Sequence, residues 1–122
     1  MKLICSTLTS GNADEHADFY QKLTGWTGRF SNTDGGIKFV GVYDETKEGV
    51  FLLFQEDRDY IAPKWPDDPG FEQHLDFFSE DVEKGVNHAL ACGAKLAESQ
   101  YSDKWRTMID PMGHPFCIEN PF

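Results

Sequence analysis

Residues 74–94 read "HLDFFSEDVEKGVNHALACGA", and their period changes part-way. His74, Asp76 and Phe78 fall on one side of an alternating run and Leu75 and Phe77 on the other, which predicts a strand. Asp81 then offers a helix N-cap. Val82, Val86, Ala89 and Leu90 follow at helical spacing, and Gly93 stands where a glycine commonly ends a helix. The same switch occurs 69 residues earlier. "KLICSTLTS" (2–10) alternates, with Leu3, Cys5, Thr7 and Thr9 on one face and Ile4, Ser6 and Leu8 on the other. Asn12 is the matching N-cap, with Glu15 as capping-box partner. Ala13, Ala17, Tyr20 and Leu23 form the apolar stripe, with Phe19 nearby, and Gly25 closes the helix. In this shift Cys5 falls on His74 and Asn12 on Asp81.

Each predicted helix is followed by three strand-like runs. After the first come "WTGRFSN" (26–32), "GIKFVGVYD" (36–44) and "GVFLLFQED" (49–57), separated by the turn at Asp34-Gly35-Gly36 and the polar loop "DETKEG". After the second come "KLAESQY" (95–101), "KWRTMID" (104–110) and "PFCIEN" (115–120), the last two joined by Asp110-Pro111-Met112-Gly113 with proline in its favoured second place. "RDYIAPKWPDDPGF" (58–71) carries three prolines and suits neither a central strand nor a helix interior, so it reads as a connector. The predicted fold is α+β. Two βαβββ modules, about 1–57 and about 72–122, form one domain over 1–122 with a curved mixed sheet. Each sheet buries one face against its helix, and the faces turned from the helices line a central cavity.

Composition narrows the function classes. Against 11 Lys+Arg stand 21 Asp+Glu, a net charge of −10, with no basic stripe, so nucleic acid is not an expected partner. No run approaches the ~20 apolar residues of a membrane span, and the start lacks the apolar core of a secretion signal. The three cysteines, Cys5, Cys92 and Cys117, are odd in number and far apart. They suggest neither a disulfide framework nor a CxxC pair, and the expected location is cytoplasmic with reduced thiols. A cationic ligand is compatible with the overall field.

Several phrases resemble the vicinal oxygen chelate superfamily, which contains glyoxalase I, bleomycin-resistance proteins and extradiol dioxygenases. "ADFYQKLTGW" is similar to its first-helix phrase F-Y-x-x-x-x-G. "HLDFFSEDVEKGVNHALACGA" looks like its second strand-to-helix passage with a closing G-A. "WRTMIDPMGHPFCI" resembles its D-P-x-G-x-x-F hairpin, and "APKWP" with "PFC" resembles its glyoxalase-like branch. The resemblance implies two βαβββ modules, a small organic molecule in the cavity and a homodimer.

In metal-dependent members of the superfamily, ligands project from the first and fourth strands of each module. Carried across, those places fall on Cys5, Leu53, His74 and Cys117, and Gln55 shares the facing of Leu53. Only His74 keeps a familiar ligand type, so the expectation is no metal centre of that kind and no cofactor. Cys117 has three readings: a packed core thiol, a zinc ligand with Cys5 and His74, or a nucleophile paired with His74. Trp65 and Tyr60 in the connector and Trp105 on the seventh strand suit the aromatic walls of a small-molecule site. Which face of the Trp105 strand looks inward stays open. His16, His88 and His114 read as surface or edge residues, and the acidic pairs Glu56-Asp57, Asp67-Asp68 and Glu80-Asp81 as solvated charge.

The expected ligand-binding set is therefore Cys5, Leu53, Gln55, Trp65, His74, Trp105 and Cys117. The expected function is binding of a small organic molecule. The alternative is a glyoxalase-like lyase or isomerase, or a dioxygenase-like metalloenzyme, with His74 as the catalytic residue.

Overall fold

The computed structural model describes residues 2–67 and 73–122. The elements run β1 (Cys5–Ser10), α1 (Ala13–Thr24), β2 (Gly28–Asp34), β3 (Ile37–Tyr43) and β4 (Phe51–Glu56), then β5 (Leu75–Phe78), α2 (Val82–Cys92), β6 (Lys95–Leu96), β7 (Trp105–Ile109) and β8 (Pro115–Glu119). They build two compact units, Met1–Ile61 and Ala62–Phe122. One sheet has the order β1-β4-β3-β2 and the other β5-β8-β7-β6. In each sheet the first pair is parallel and the remaining pairs antiparallel. This is the α+β arrangement of two βαβββ modules that the sequence predicts. No helix among the described residues is long and apolar enough to cross a membrane. Residues 68–71 of the predicted connector and residue 72, where the second module was expected to begin, lie outside the described residues.

The helices begin and end where their caps dictate. Asn12 Oδ1 accepts from the Glu15 backbone N–H at 3.0 Å, and Asp81 Oδ1 accepts from Lys84 N–H at 3.1 Å. The return arm of the first cap comes from Ser10 rather than Glu15: Asn12 N–H donates to Ser10 Oγ at 3.2 Å. Glu56, arriving on β4, accepts from Ala13 N–H at 3.1 Å. Gly25 and Gly93 take left-handed φ values of 74° and 114°, which suit glycine at a helix end. Asn12→Ala and Asp81→Ala should each lower the unfolding free energy by about 1 kcal/mol in urea titrations. An unchanged midpoint for either would show that its cap oxygen is dispensable.

The first core lies between α1 and one face of its sheet. Val40, Val42, Leu52 and Phe54 are buried there with Ala13, Ala17, Phe19 and Tyr20. So is His16, which is fully buried, its ring centroid 4.5 Å from that of Phe54 and 5.4 Å from that of Tyr20. The expectation of a surface histidine was wrong. Position 16 follows Ala13 by three and precedes Tyr20 by four, so helical geometry puts it inside the stripe.

On the exposed flank of α1, Arg29 pairs with Asp14 at 2.9 Å and Asp18 at 2.6 Å, and Lys38 also pairs with Asp14. The hydrogen bond from Lys38, then that from Arg29, holds the Asp14 carboxyl below its ordinary range. At such exposure these pairs add little stability.

The second core gathers Val86, Ala89, Ala94, Ala97, Met108, Phe116 and Ile118. Gly85 lets α2 approach the sheet closely, since a Cβ there would sit 2.8 Å from Ile118 Cγ2. Leu90, assigned to the buried stripe, is instead 43% exposed.

The predicted strand 95–101 shrinks to Lys95–Leu96. Beyond it the side-chain amide of Gln100 takes over the ladder. Its Oε1 accepts from Thr107 N–H at 2.9 Å and its Nε2 donates to Thr107 carbonyl oxygen at 2.8 Å. A side chain thereby satisfies the backbone that a longer edge strand would have paired.

Candidate functional site

In the second unit the helix-side face of the sheet carries Met108, Phe116 and Ile118, together with Arg106, which pairs with Glu83 of α2 at 3.1 Å. Alternation therefore sends Trp105 and Thr107 of β7, and Cys117 and Glu119 of β8, to the other face. Register arranges them in rows. Asp76, Cys117 and Thr107 are neighbours across three strands, and Trp105 lies beside Glu119. Together with Trp65, His74 and Tyr101 these residues line a pocket of about 420 Å³. The face left open by the sequence is thus settled: Trp105 and Thr107 line the pocket, and Arg106 and Met108 do not.

Of the anticipated site residues, Trp65, His74, Trp105 and Cys117 meet in this pocket. Cys5, Leu53 and Gln55 belong to the sheet of the first unit. There Leu52 and Phe54 are buried against α1, so Leu53 and Gln55 share the opposite face. Leu53 is the register counterpart of Cys117: it pairs with Thr7, two residues beyond Cys5, as Cys117 pairs with Asp76, two beyond His74. Tyr60 is not among the residues lining the pocket. Asp76, Tyr101, Thr107 and Glu119 were not assigned to a site in advance. For Asp76 the signal was available, since it shares the parity of His74.

The polar groups of the pocket are mutually engaged. His74 Nε2 lies 3.2 Å from Asp76 Oδ1, and Trp65 tilts over His74 with ring centroids 6.1 Å apart. The buried Cys117 Sγ is 3.6 Å from Thr107 Oγ1. Burial pushes the Cys117 thiol up from its ordinary value. The Thr107 hydrogen bond opposes that shift, and the negative charges of Asp76 and Glu119 add to it.

A family model described as a glyoxalase-like domain matches residues 6–119 of this chain. The chain belongs to the glyoxalase-like domain family. The glyoxalase-like domain is similar to a glyoxalase/bleomycin resistance protein/dioxygenase family enzyme from Burkholderia phytofirmans PsJN, at 20% identity and TM-score 0.72 over 100% of both chains. It is also similar to the trypanothione-dependent glyoxalase I of Leishmania major, at 16% identity and TM-score 0.75 over 98% of this chain and 86% of that one. A genomically encoded fosfomycin resistance protein from Listeria monocytogenes gives 16% identity and TM-score 0.69 over 100% and 91%. At these identities the likeness is one of fold. A Symbiodinium sp. protein described as ribulose bisphosphate carboxylase is 35% identical over 82 residues, 66% of this chain, and the chain spans only 5% of that protein's length.

The superfamily's metal chemistry can be tested against the residues present. The four places that the resemblance assigns to ligands fall on Cys5, Leu53, His74 and Cys117. Leu53 has no donor atom, and the Cys117 thiol is buried with its ionisation suppressed. The oxygen and nitrogen set of a glyoxalase-I-like or dioxygenase-like centre does not fit. One other cluster among the described residues brings three donor types together: His74, Asp76 and Cys117, whose ligand atoms lie within 4.8 Å of one another. An ion there would require the thiolate form of Cys117.

The same suppression disfavours Cys117 as a free nucleophile, because the thiolate is the reactive form. In the folded glyoxalase-like domain at about pH 8, iodoacetamide should modify the half-buried Cys5 and Cys92 before Cys117, and denaturant should erase the difference. Mass spectrometry of timed samples reads this directly. Equal native-state rates for all three thiols would show that Cys117 is neither shielded nor held neutral.

Proposed function

We propose that this glyoxalase-like domain binds a small organic molecule in the pocket of its second unit and does so without the superfamily's usual metal centre. The observation that carries the reading is the make-up of the pocket. About 420 Å³ is walled by Trp65, Tyr101 and Trp105, with the polar groups of His74, Asp76, Thr107 and Glu119 set among them. Its volume falls within the range that holds drug-sized ligands, and few polar groups among aromatic walls give such sites their orientation and specificity. In keeping with its unpaired cysteines the protein acts in the cytoplasm, and in keeping with the family resemblance it does so as a homodimer.

A second reading has one specific support. The Asp76 carboxylate beside His74 can hold the imidazole in one orientation, as general bases require. In that case the domain is a lyase or isomerase with His74 as base.

The deciding experiment has two parts. Elemental analysis of protein purified without chelator is expected to find no stoichiometric metal. One zinc, nickel or iron per chain would overturn the metal-free proposal. A fragment screen by NMR, following the indole N–H signals of Trp65 and Trp105, is expected to give hits that move both. His74→Ala should weaken these hits only severalfold. If a turnover assay is found and the same variant loses about 10²-fold in rate, the enzyme reading replaces the binder. A screen that moves neither indole signal would sink both.

A further inference from the structure

Resting on that reading, we propose that the ligand is a small organic cation, a quaternary or tertiary ammonium, caged by Trp65, Tyr101 and Trp105 against the carboxylates of Asp76 and Glu119. The rings come from three separate places in the chain: the segment before β5, the loop before β7, and the first residue of β7. Their convergence puts three aromatic rings, each with its π faces, on the lining of one pocket. An alkylammonium is attracted to such faces by the ring quadrupole, and more strongly once desolvated.

The charges agree with the rings. Asp76 and Glu119 line the same pocket, and among the described residues no lysine or arginine does. The nearest guanidinium in sequence, on Arg106, lies on the opposite face of the sheet and is engaged by Glu83 at 3.1 Å. The one basic side chain among the described lining residues is His74, beside Asp76 at 3.2 Å, so the two carboxylates dominate and make the pocket repel an organic anion. For a neutral guest they would be desolvated with no return.

The row geometry places the two charges well for a caged ammonium. Glu119 lies beside Trp105 across the β7–β8 ladder, and Asp76 contacts the His74 ring over which Trp65 tilts. Each carboxylate is thus close to an aromatic wall. The guest that uses walls and charges together has a positive head wrapped in methylene or methyl groups. A bare metal ion would use the carboxylates and leave the rings idle.

Three probes of one shape isolate the charge: choline, the neutral 3,3-dimethylbutan-1-ol, and the anionic 3,3-dimethylbutanoate. Each is titrated into the wild-type protein while the Trp65 and Trp105 indole N–H signals are followed by NMR. Choline is expected to bind at least about tenfold more tightly than the alcohol, and the butanoate most weakly. Choline affinity should fall as salt rises, while that of the alcohol should not. Asp76→Asn and Glu119→Gln should each weaken choline severalfold and leave the alcohol unchanged. These are near-isosteric changes, and the wild-type ranking stands even if one of them fails to fold.

An alcohol or butanoate that binds as well as choline would overturn the cation assignment and leave small-molecule binding intact. If none of the three moves either indole while other fragments do, the assignment again falls alone. If no compound of any class moves them, the binding function falls with it.

Discussion

Replacing Phe54 by alanine is expected to lower the unfolding free energy by about 3–5 kcal/mol, measured by urea denaturation. Phe54 is fully buried at the centre of the helix-side face of the first sheet. Its ring stacks on Tyr20 with centroids 5.5 Å apart and planes 17° apart, and meets His16 at 4.5 Å. Truncation would remove three contacts at once: the Tyr20 face, the His16 ring and the strand neighbours. Helix α1 is tied to its sheet by Ala13 N–H to Glu56 and by Asp14 to Arg29 and Lys38, which restrains it from collapsing into the gap, so most of the cavity should persist. Domains of this size are marginally stable, and a loss of that order is a large part of the total. Phe54→Leu should cost far less, because it keeps most of the volume. A loss below about 1 kcal/mol for the alanine variant would mean that α1 does move in, and that the aromatic cluster is not what fixes it to the sheet.

Much of this arrangement is legible in the chain because two periodicities carry it. The strand-to-helix switch at 74–94, seen again 69 residues earlier, marks the modules, and Asn12, Asp81, Gly25 and Gly93 mark helix ends by chemistry that works locally. Parity alone places His74 and Cys117 on the pocket side of their sheet. It could not choose between the two faces of β7, since Trp105, Thr107 and Ile109 compete with Arg106 and Met108 as inward-looking sets. The deciding contact, Arg106 to Glu83, joins residues far apart in sequence.

What escaped the reading has physical causes. His16 was read as a surface or edge residue, although its spacing from Ala13 and Tyr20 is that of the core. Gln100 ended a strand early because a side-chain amide can imitate a backbone partner, and no propensity records that. Asp76 was placed on the face of His74 by parity but given no role in the site. Its role comes from register, which sets it beside Cys117 and next to His74. Pairing register between β5 and β8 depends on contacts across some forty residues, and the alternating pattern of either strand alone does not encode it.

The second large effect concerns a glycine whose smallness is spoken for. Gly41 sits in β3 opposite Phe30 of β2, and the Phe30 ring lies across it, so that a Cβ at position 41 would fall 2.2 Å from two of its ring carbons. The same ring packs edge-on against Phe51 with centroids 5.5 Å apart and lies 6.4 Å from Tyr43. Gly41→Val must therefore expel Phe30 from its place, even though valine is a far better strand residue than glycine. Propensity predicts a gain and packing predicts a loss. Overpacking of this kind costs about 1–3 kcal/mol, which outweighs a propensity scale spanning ~1 kcal/mol. The expected result is a net loss of about 1 kcal/mol in urea. The test of cause is the double variant. With Phe30→Ala in place the ring is gone, so adding Gly41→Val should be neutral or stabilising, and the coupling between the sites should be favourable by more than about 1 kcal/mol. Strict additivity would refute the packing account and leave the backbone of β3 as the reason for glycine. A favourable coupling would instead show that Gly41 is small because the Phe30–Tyr43–Phe51 cluster occupies its side-chain space.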